Sequence, residues 1–227
     1  MSSMTLEVKE EIHVLTLTNN DNENTFTLDV MREYLSAFDV VEKYEGNTAL
    51  LIRCEHEKTF STGINLAWLM DQPKAGKKAF ILALETVLYR LALLNAPTVV
   101  CINGNAYAGG AILAAAADFR VMRSDRGRFC FPEVDIKMSF PPLMMDVINL
   151  LPNKQALKYM ALTGKAYTGV ECEALDLVDS IHSMEELQLN GFKLAKSLVQ
   201  KDRVSYTRIR NAMRPDIARH AGALGLA

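Results

Sequence analysis

The sequence has few of the residues from which disulfide, metal and nucleotide sites are built. Its four cysteines, Cys54, Cys101, Cys130 and Cys172, are scattered without paired spacing. That suits free thiols in a reducing compartment and excludes a disulfide framework. His13, His56, His182 and His220 are equally isolated, with no His-Glu-x-x-His, so no metal site is expected. There is no Gly-x-Gly-x-x-Gly, which removes the ordinary dinucleotide fingerprint. Gly104 and Gly109 have the spacing of P-loop glycines, but Gly110-Ala111 stand where Lys and Ser/Thr are required. Ser61 lies outside any Gly-x-Ser-x-Gly, so a nucleophile elbow is unsupported. Charge of one sign is lacking too: 25 Lys and Arg face 27 Asp and Glu, for a net charge of -2. Nothing in that balance favours nucleic acid or an anionic membrane as partner. No apolar run is long enough to cross a bilayer. Met1-Ser2-Ser3-Met4 has no basic stretch followed by an apolar one, and Gly225-Leu226-Ala227 is not a Ser-Lys-Leu address. A cytoplasmic location is the expectation.

Apolar residues make up 49% of 227, enough for one domain with a sizeable core. Leu6 to Thr18 alternates around Glu10-Glu11, which predicts a strand pair with a polar turn. Asn19 to Asn24 is a polar loop. Thr27 caps a helix with apolar positions Leu28, Met31, Leu35, Phe38 and Val41. Ala49 to Ile52 reads as a strand covered on both faces. A helix runs from Ala79 to Leu94 and stops before Pro97. Phe119 to Met122 and Arg128 to Phe131 are strand-like. Helices follow over Pro142 to Leu150, Asn153 to Leu162 and Gly169 to Leu175, then a last strand at Val178 to Ile181. From Met184 the pattern is helical to Arg210, with Pro215 as a breaker. Arg208, Arg210, Arg214 and Arg219 read there as a solvated face. Strands alternating with helices give an α/β fold with largely parallel pairing. A helical appendage ends it. No internal repeat is visible.

The chain is organised around Ile102 to Asp118. An apolar run from Thr98 enters this stretch, Gly104, Gly109 and Gly110 punctuate it, and a run of alanines leaves it. It reads as strand, glycine-bearing turn and helix. Two readings stand at Gly109-Gly110. The glycines either only let the helix pack tightly on a strand, or bring a bound group onto the free N–H groups of the first helical turn. Phe60 to Leu66 is a second such turn, with a further N–H at Gly63-Ile64. Two such donors converging on one oxygen make an oxyanion hole. Glu133 follows Pro132 among Phe129, Phe131, Val134, Ile136 and Phe140. Burial there would raise its pKa, as a general base working near neutrality requires. The other reading of Glu133 is a loop carboxylate or a helix-capping acid.

Four segments together resemble the enoyl-CoA hydratase/isomerase (crotonase) family. Phe60-Ser61-Thr62-Gly63-Ile64-Asn65-Leu66 is similar to its Phe-Ser-x-Gly-x-Asp-Leu, with Asn65 for the usual Asp. Ile102-Asn103-Gly104 through Gly109-Gly110 resembles its second oxyanion segment. Phe131-Pro132-Glu133-Val134-Asp135-Ile136 resembles the segment bearing an acid catalyst. Thr168 to Asp179 resembles its Glu-Ala-x-x-x-Gly-Leu-Val-Asp element, with Asp176 where Gly is usual. The match runs from Leu6 to Ile181. It implies a crotonase-like spiral of β-β-α repeats over residues 1–183 and a C-terminal helical trimerisation region over 184–227. The assembly implied is a homotrimer or a dimer of trimers. The substrate implied is an acyl-CoA thioester, with no metal or redox cofactor, CoA being part of the substrate. Its thioester oxygen would sit between the N–H groups of Ile64 and Gly109. Asn24-Thr25-Phe26 and Ser61-Thr62-Gly63 would lie near the CoA, with Gly110, Ile112 and Phe140 against the substrate.

The departure that matters is Ile112. Hydratases of the family hold water between two glutamates, one at this position and one at Glu133. Isomerases keep only the second. Phe140-Pro141-Pro142-Leu143 also replaces the hydratases' glycine-rich turn. The resemblance therefore implies a Δ3,Δ2-enoyl-CoA isomerase with Glu133 as its proton carrier. The alternatives are a hydratase or other lyase of the family, its missing acid supplied by Asp135 or Asp146, and a non-catalytic acyl-CoA-binding protein.

Overall fold

The computed structural model describes residues 2–226. The readings of the two termini fall partly on the first and last residues, which lie outside that range. β1 (Met4–Lys9) and β2 (Ile12–Leu17) pair antiparallel. Between them Glu10 and Glu11 both take positive φ, 48° and 65°, as a tight two-residue hairpin requires. β2 then joins β3 (Ala49–Cys54), β5 (Thr98–Ile102), β7 (Phe119–Arg123) and β9 (Ser180–His182), each later pairing parallel. A second sheet of β4 (Thr59–Ser61), β6 (Asn105–Tyr107) and β8 (Phe129–Cys130) is parallel throughout. The chain thus supplies the two sheets in turn, β3 then β4, β5 then β6, β7 then β8. Helices follow each pair, which makes a spiral of β-β-α turns.

α1 (Leu28–Lys43) starts where Thr27 accepts from the Val30 N–H. α2 (Leu66–Met70) and α3 (Lys74–Leu93) follow β4, and α4 (Gly109–Ala116) follows β6. α5 (Pro142–Ile148), α6 (Lys154–Thr163) and α7 (Gly169–Ala174) fill the stretch between β8 and β9. Side chains alternate across the larger sheet. Leu50, Ile52, Val100, Ile102 and Met122 share a core with α1, α3 and α4. Ala49, Leu51, Val99, Cys101 and Val121 pack instead against Leu187, Ala195 and Val199 of α8 (Met184–Val199). With both faces covered, Ala49–Ile52 is a continuous apolar run.

Three expectations are corrected. α3 begins at Lys74, not Ala79, because Pro73 sets its entry and Lys74, Lys77 and Lys78 hide its first turns from a hydrophobic count. The helical run from Met184 breaks at Gln200: Asp202 accepts from the Ser205 N–H at 2.8 Å and caps a separate α9 (Arg203–Ala212). Pro215 opens α10 (Pro215–Ala218) instead of merely stopping a helix. The arginine tail is the third. Arg208 is exposed and Arg219 pairs with Asp146 at the surface, but Arg210 and Arg214 point inward. Their side chains are 7% and 10% exposed and meet Asp118 at 3.2 and 2.9 Å.

Candidate active site

The small sheet sets the site. Ser61 pairs near Ala106, and Tyr107 pairs with Cys130, so the chains leaving β4, β6 and β8 emerge side by side. Just past those strand ends lie Ile64, Gly109 and Glu133. The carboxyl ends of parallel strands are where such folds bind ligands.

The two glycine turns touch. Phe26 bridges Ile64: the Phe26 N–H donates to the Gly63 carbonyl at 2.7 Å, and the Asn65 N–H to the Phe26 carbonyl at 3.0 Å. That register turns the Ile64 N–H the other way, and it meets no backbone carbonyl among the described residues. The Gly109 N–H is free by position, at the head of α4. Gly63 has φ +80°, and a Cβ there would lie 2.5 Å from the Gly109 nitrogen. A Cβ on Gly109 would lie 3.2 Å from both the Gly63 Cα and the Phe26 ring. The first reading of the glycine turn, tight packing, is what these distances show. The glycines permit close backbone packing, and Ile64 and Gly109 line a common pocket. Ala108, at the start of α4, sits at φ 48° and ψ -124°, a strained setting for alanine.

Glu133 forms the third side. Asp135 N–H donates to the Pro132 carbonyl at 2.9 Å and Met138 N–H to the Glu133 carbonyl at 2.8 Å, which winds the segment after β8 into a tight turn. Phe131 packs edge-on against Phe140, with centroids 6.0 Å apart. Glu133 is 6% exposed, and its Oε2 has no hydrogen-bond partner among the described residues. Desolvation pushes its pKa up to about 7, against the opposing pull of its own backbone N–H.

Of the residues singled out from sequence, Thr62, Ile64, Gly109, Ile112, Glu133 and Phe140 line one apolar pocket. Asn24, Phe26, Ser61, Gly63 and Gly110 are buried and do not line it. Asn24 Nδ2 donates to the Phe60 carbonyl at 3.0 Å, and Ser61 Oγ donates to the Asn24 carbonyl at 2.9 Å while accepting from the Gly63 N–H. These bonds hold the first turn in shape. Thr25 lies beside them, accepting from Asn65 Nδ2 at 3.4 Å. Asn65 also caps α2, accepting from the Trp68 N–H at 2.9 Å, a task Asn and Asp share.

Sequence reasoning missed Ile81, Leu84 and Leu88 of α3, Tyr107 and Met144, all on the pocket wall. The α3 trio repeats at helical spacing, but that period marks a core face as readily as a wall. Asp135 and Asp146 do not line the pocket. Asp135 is exposed, and Asp146 is held by Arg219 and His220, each at 2.7 Å. Glu133 is thus the one carboxylate among the described lining residues. Two backbone donors, one carboxyl titrating near neutrality and apolar walls can polarise a carbonyl and shift a proton on a neighbouring carbon.

Known proteins resemble the chain in sequence and in fold. The family model described as Enoyl-CoA hydratase/isomerase matches residues 7–224. The chain is 31% identical over 235 residues to the peroxisomal enoyl-CoA delta isomerase 2 of Arabidopsis thaliana, covering 98% of this chain and 95% of that one. It is 24% identical over 229 residues to a crotonyl-CoA hydratase of Syntrophomonas wolfei, covering 97% and 88%. Among solved structures, an apo Mtb enoyl-CoA isomerase matches with a TM-score of 0.88 at 20% identity, over 98% of this chain and 96% of that one. An enoyl-CoA hydratase from Bacillus anthracis matches with a TM-score of 0.84 at 16% identity, over 93% and 82%. These two likenesses show the fold, the crotonase spiral. Among the described residues no helix is long and apolar enough to cross a membrane. With the family model spanning almost the whole chain, and a relative above 30% identity aligned nearly end to end, the chain belongs to the enoyl-CoA hydratase/isomerase family.

Proposed function

We propose that this enzyme is a Δ3,Δ2-enoyl-CoA isomerase in which Glu133 is the single acid–base group. One observation carries the reading. Glu133 is the pocket's one carboxylate among the described residues, and where a hydratase would place its second acid stands Ile112, 2% exposed. A 3-enoyl thioester, its oxygen on the N–H groups of Ile64 and Gly109, presents C2 to Glu133. Ionised Glu133 removes a C2 proton, and the dienolate gathers its charge on the thioester oxygen, where the two donors stabilise it. The same carboxyl returns the proton at C4. The C2–C3 double bond forms as the C3–C4 double bond is lost, and no water, metal or redox cofactor takes part. Hydration would need a water oriented between two polar groups, and Ile112 cannot hold one. The reading includes a homotrimer or a dimer of trimers, for which Ile209 and Met213, 65% and 76% exposed, offer apolar surface.

The sign of the pH dependence follows from Glu133. Its ionised form is the base, and its pKa lies at about 7. Isomerase kcat/KM should therefore rise with pH, reach half its plateau near that value, and level off above about pH 8. A steady-state profile measured on a 3-enoyl-CoA checks this. A rate that is flat from about pH 5 to about pH 8, or that falls as pH rises, would rule out Glu133 as the base.

A further inference from the structure

The C-terminal helices grip the far end of α4, the helix whose first turn carries the Gly109 N–H. α4 has eight residues, and its last carbonyls have no partners within the helix. Two guanidinium groups meet them. Arg120, on β7, donates to the Ala117 carbonyl at 3.0 Å and the Ala114 carbonyl at 3.4 Å. Arg214, at the entry to α10, donates to the Ala116 carbonyl at 3.2 Å and the Ala117 carbonyl at 3.5 Å. Its other reach is to Ala92 near the end of α3, at 2.6 Å. Asp118 fixes Arg214 from behind, at 2.9 Å, and is itself held by Arg210, the Tyr206 hydroxyl and the Thr98 N–H. The Asp118 side chain is 4% exposed, so the centre of this network is buried.

We propose that Arg214 is a positioning residue for the backbone donor at Gly109, seating α4 along its axis through its C-terminal carbonyls. This rests on the oxyanion role proposed above for the other end of that helix. The strain at Ala108 is why an anchor is needed. A non-glycine residue at φ 48° persists only where its surroundings over-determine it, and α4 is too short to do so alone. A cation at the helix C-terminus also complements the dipole that favours negative charge at Gly109. The same C-terminal helices supply an internal control. Arg203 of α9 donates to the Val41, Tyr44 and Gly46 carbonyls at 2.9, 2.6 and 2.9 Å, around the end of α1. No residue of α1 lines the pocket. Both arginines staple the C-terminal helices to a helix end, but only Arg214 staples the helix that begins at the site.

The test compares Arg214→Met, Arg214→Lys and Arg203→Met in the full chain. One readout is kcat and KM for isomerisation of a 3-enoyl-CoA. The other is the infrared carbonyl stretch of bound hexanoyl-CoA, which reports thioester polarisation whatever reaction follows. Arg214→Met should lower kcat roughly ten- to a hundred-fold, leave KM within about threefold, and diminish the carbonyl shift. Arg214→Lys, which keeps the charge but reaches fewer carbonyls, should fall between. Arg203→Met should lose stability yet keep wild-type kcat and carbonyl shift. A wild-type kcat and shift in Arg214→Met, or an equal loss in Arg203→Met, would overturn the proposal. If Arg214→Met does not fold, Arg214→Lys decides by the same readouts. A wild type without isomerase activity, whose bound thioester still shifts and loses that shift in the Arg214 variants, would sink the isomerase reading while upholding the positioning role.

Discussion

Glu133→Gln is expected to cut isomerisation by roughly a hundred- to ten-thousand-fold while making the protein more stable at neutral and alkaline pH. The first effect follows because no other carboxylate among the described residues lines the pocket to take over the proton. The second follows from linkage. The folded pKa of about 7 lies above the ordinary 4.5, so the fold favours the neutral carboxyl. That contribution is fully present below the ordinary pKa and is lost as pH rises through the folded one. Above it the enzyme carries a buried carboxylate with an unpartnered Oε2. Glutamine keeps the shape and removes the charge, a gain of up to about 3 kcal/mol above pH 7. The variant's Tm should exceed that of the wild type at about pH 8 and match it near pH 4. Turnover measured beside thermal unfolding at both pH values checks both halves. A variant with most of its activity would show that Glu133 is not the base. Equal Tm differences at the two pH values would show that the carboxyl is not dry.

Gly109→Val should lower turnover about a hundred-fold, corresponding to about 3 kcal/mol for the loss of one oxyanion donor. Even a methyl group at Gly109 would lie 3.2 Å from the Gly63 Cα and from the Phe26 ring. Valine adds two more carbons at that point and must spread the two turns or push the thioester off its donors. The loss should appear in kcat more than in KM, because these donors act mainly on charge that grows in the transition state. Gly63→Ala should behave in the same way, since its φ of +80° and the 2.5 Å approach to the Gly109 nitrogen leave a Cβ no room. A folded Gly109→Val enzyme with wild-type kcat would remove Gly109 from the oxyanion site.

Long periodic segments were legible in the sequence because their own side chains decide them. α1 with its Thr27 cap and the buried run of β3 are of this kind. The second sheet was not legible in full. β4, β6 and β8 have three, three and two residues, too few to show a period. Asn105–Tyr107, hidden inside a stretch that reads as a turn, is a strand because β4 and β8 flank it. The β-β-α repeat escapes sequence inspection for a related reason: the backbone path repeats, and the side chains do not. Arg210 and Arg214 look in sequence like any exposed polar face. Their partner Asp118 lies 92 positions before Arg210, and only the fold brings them together. At the site, the meeting of the two glycine turns with a buried Glu133 in one pocket was legible from their turns and apolar neighbours, while an oxygen held between the Ile64 and Gly109 N–H groups rests on the resemblance alone. The walls from Ile81, Leu84 and Leu88 were not, because an apolar helical face is written the same way whether it meets protein or substrate.

Whether one carboxylate suffices is tested most directly on the wild-type enzyme, by measuring two rates with matched acyl chains. One is conversion of a 3-enoyl-CoA to the conjugated 2-enoyl-CoA, and the other is addition of water to that 2-enoyl-CoA. Glu133 alone, with Ile112 at the position of the second acid, predicts isomerisation faster than hydration by about a hundred-fold or more. Hydration as fast as isomerisation, or faster, would contradict it and require a second acid at the bound substrate.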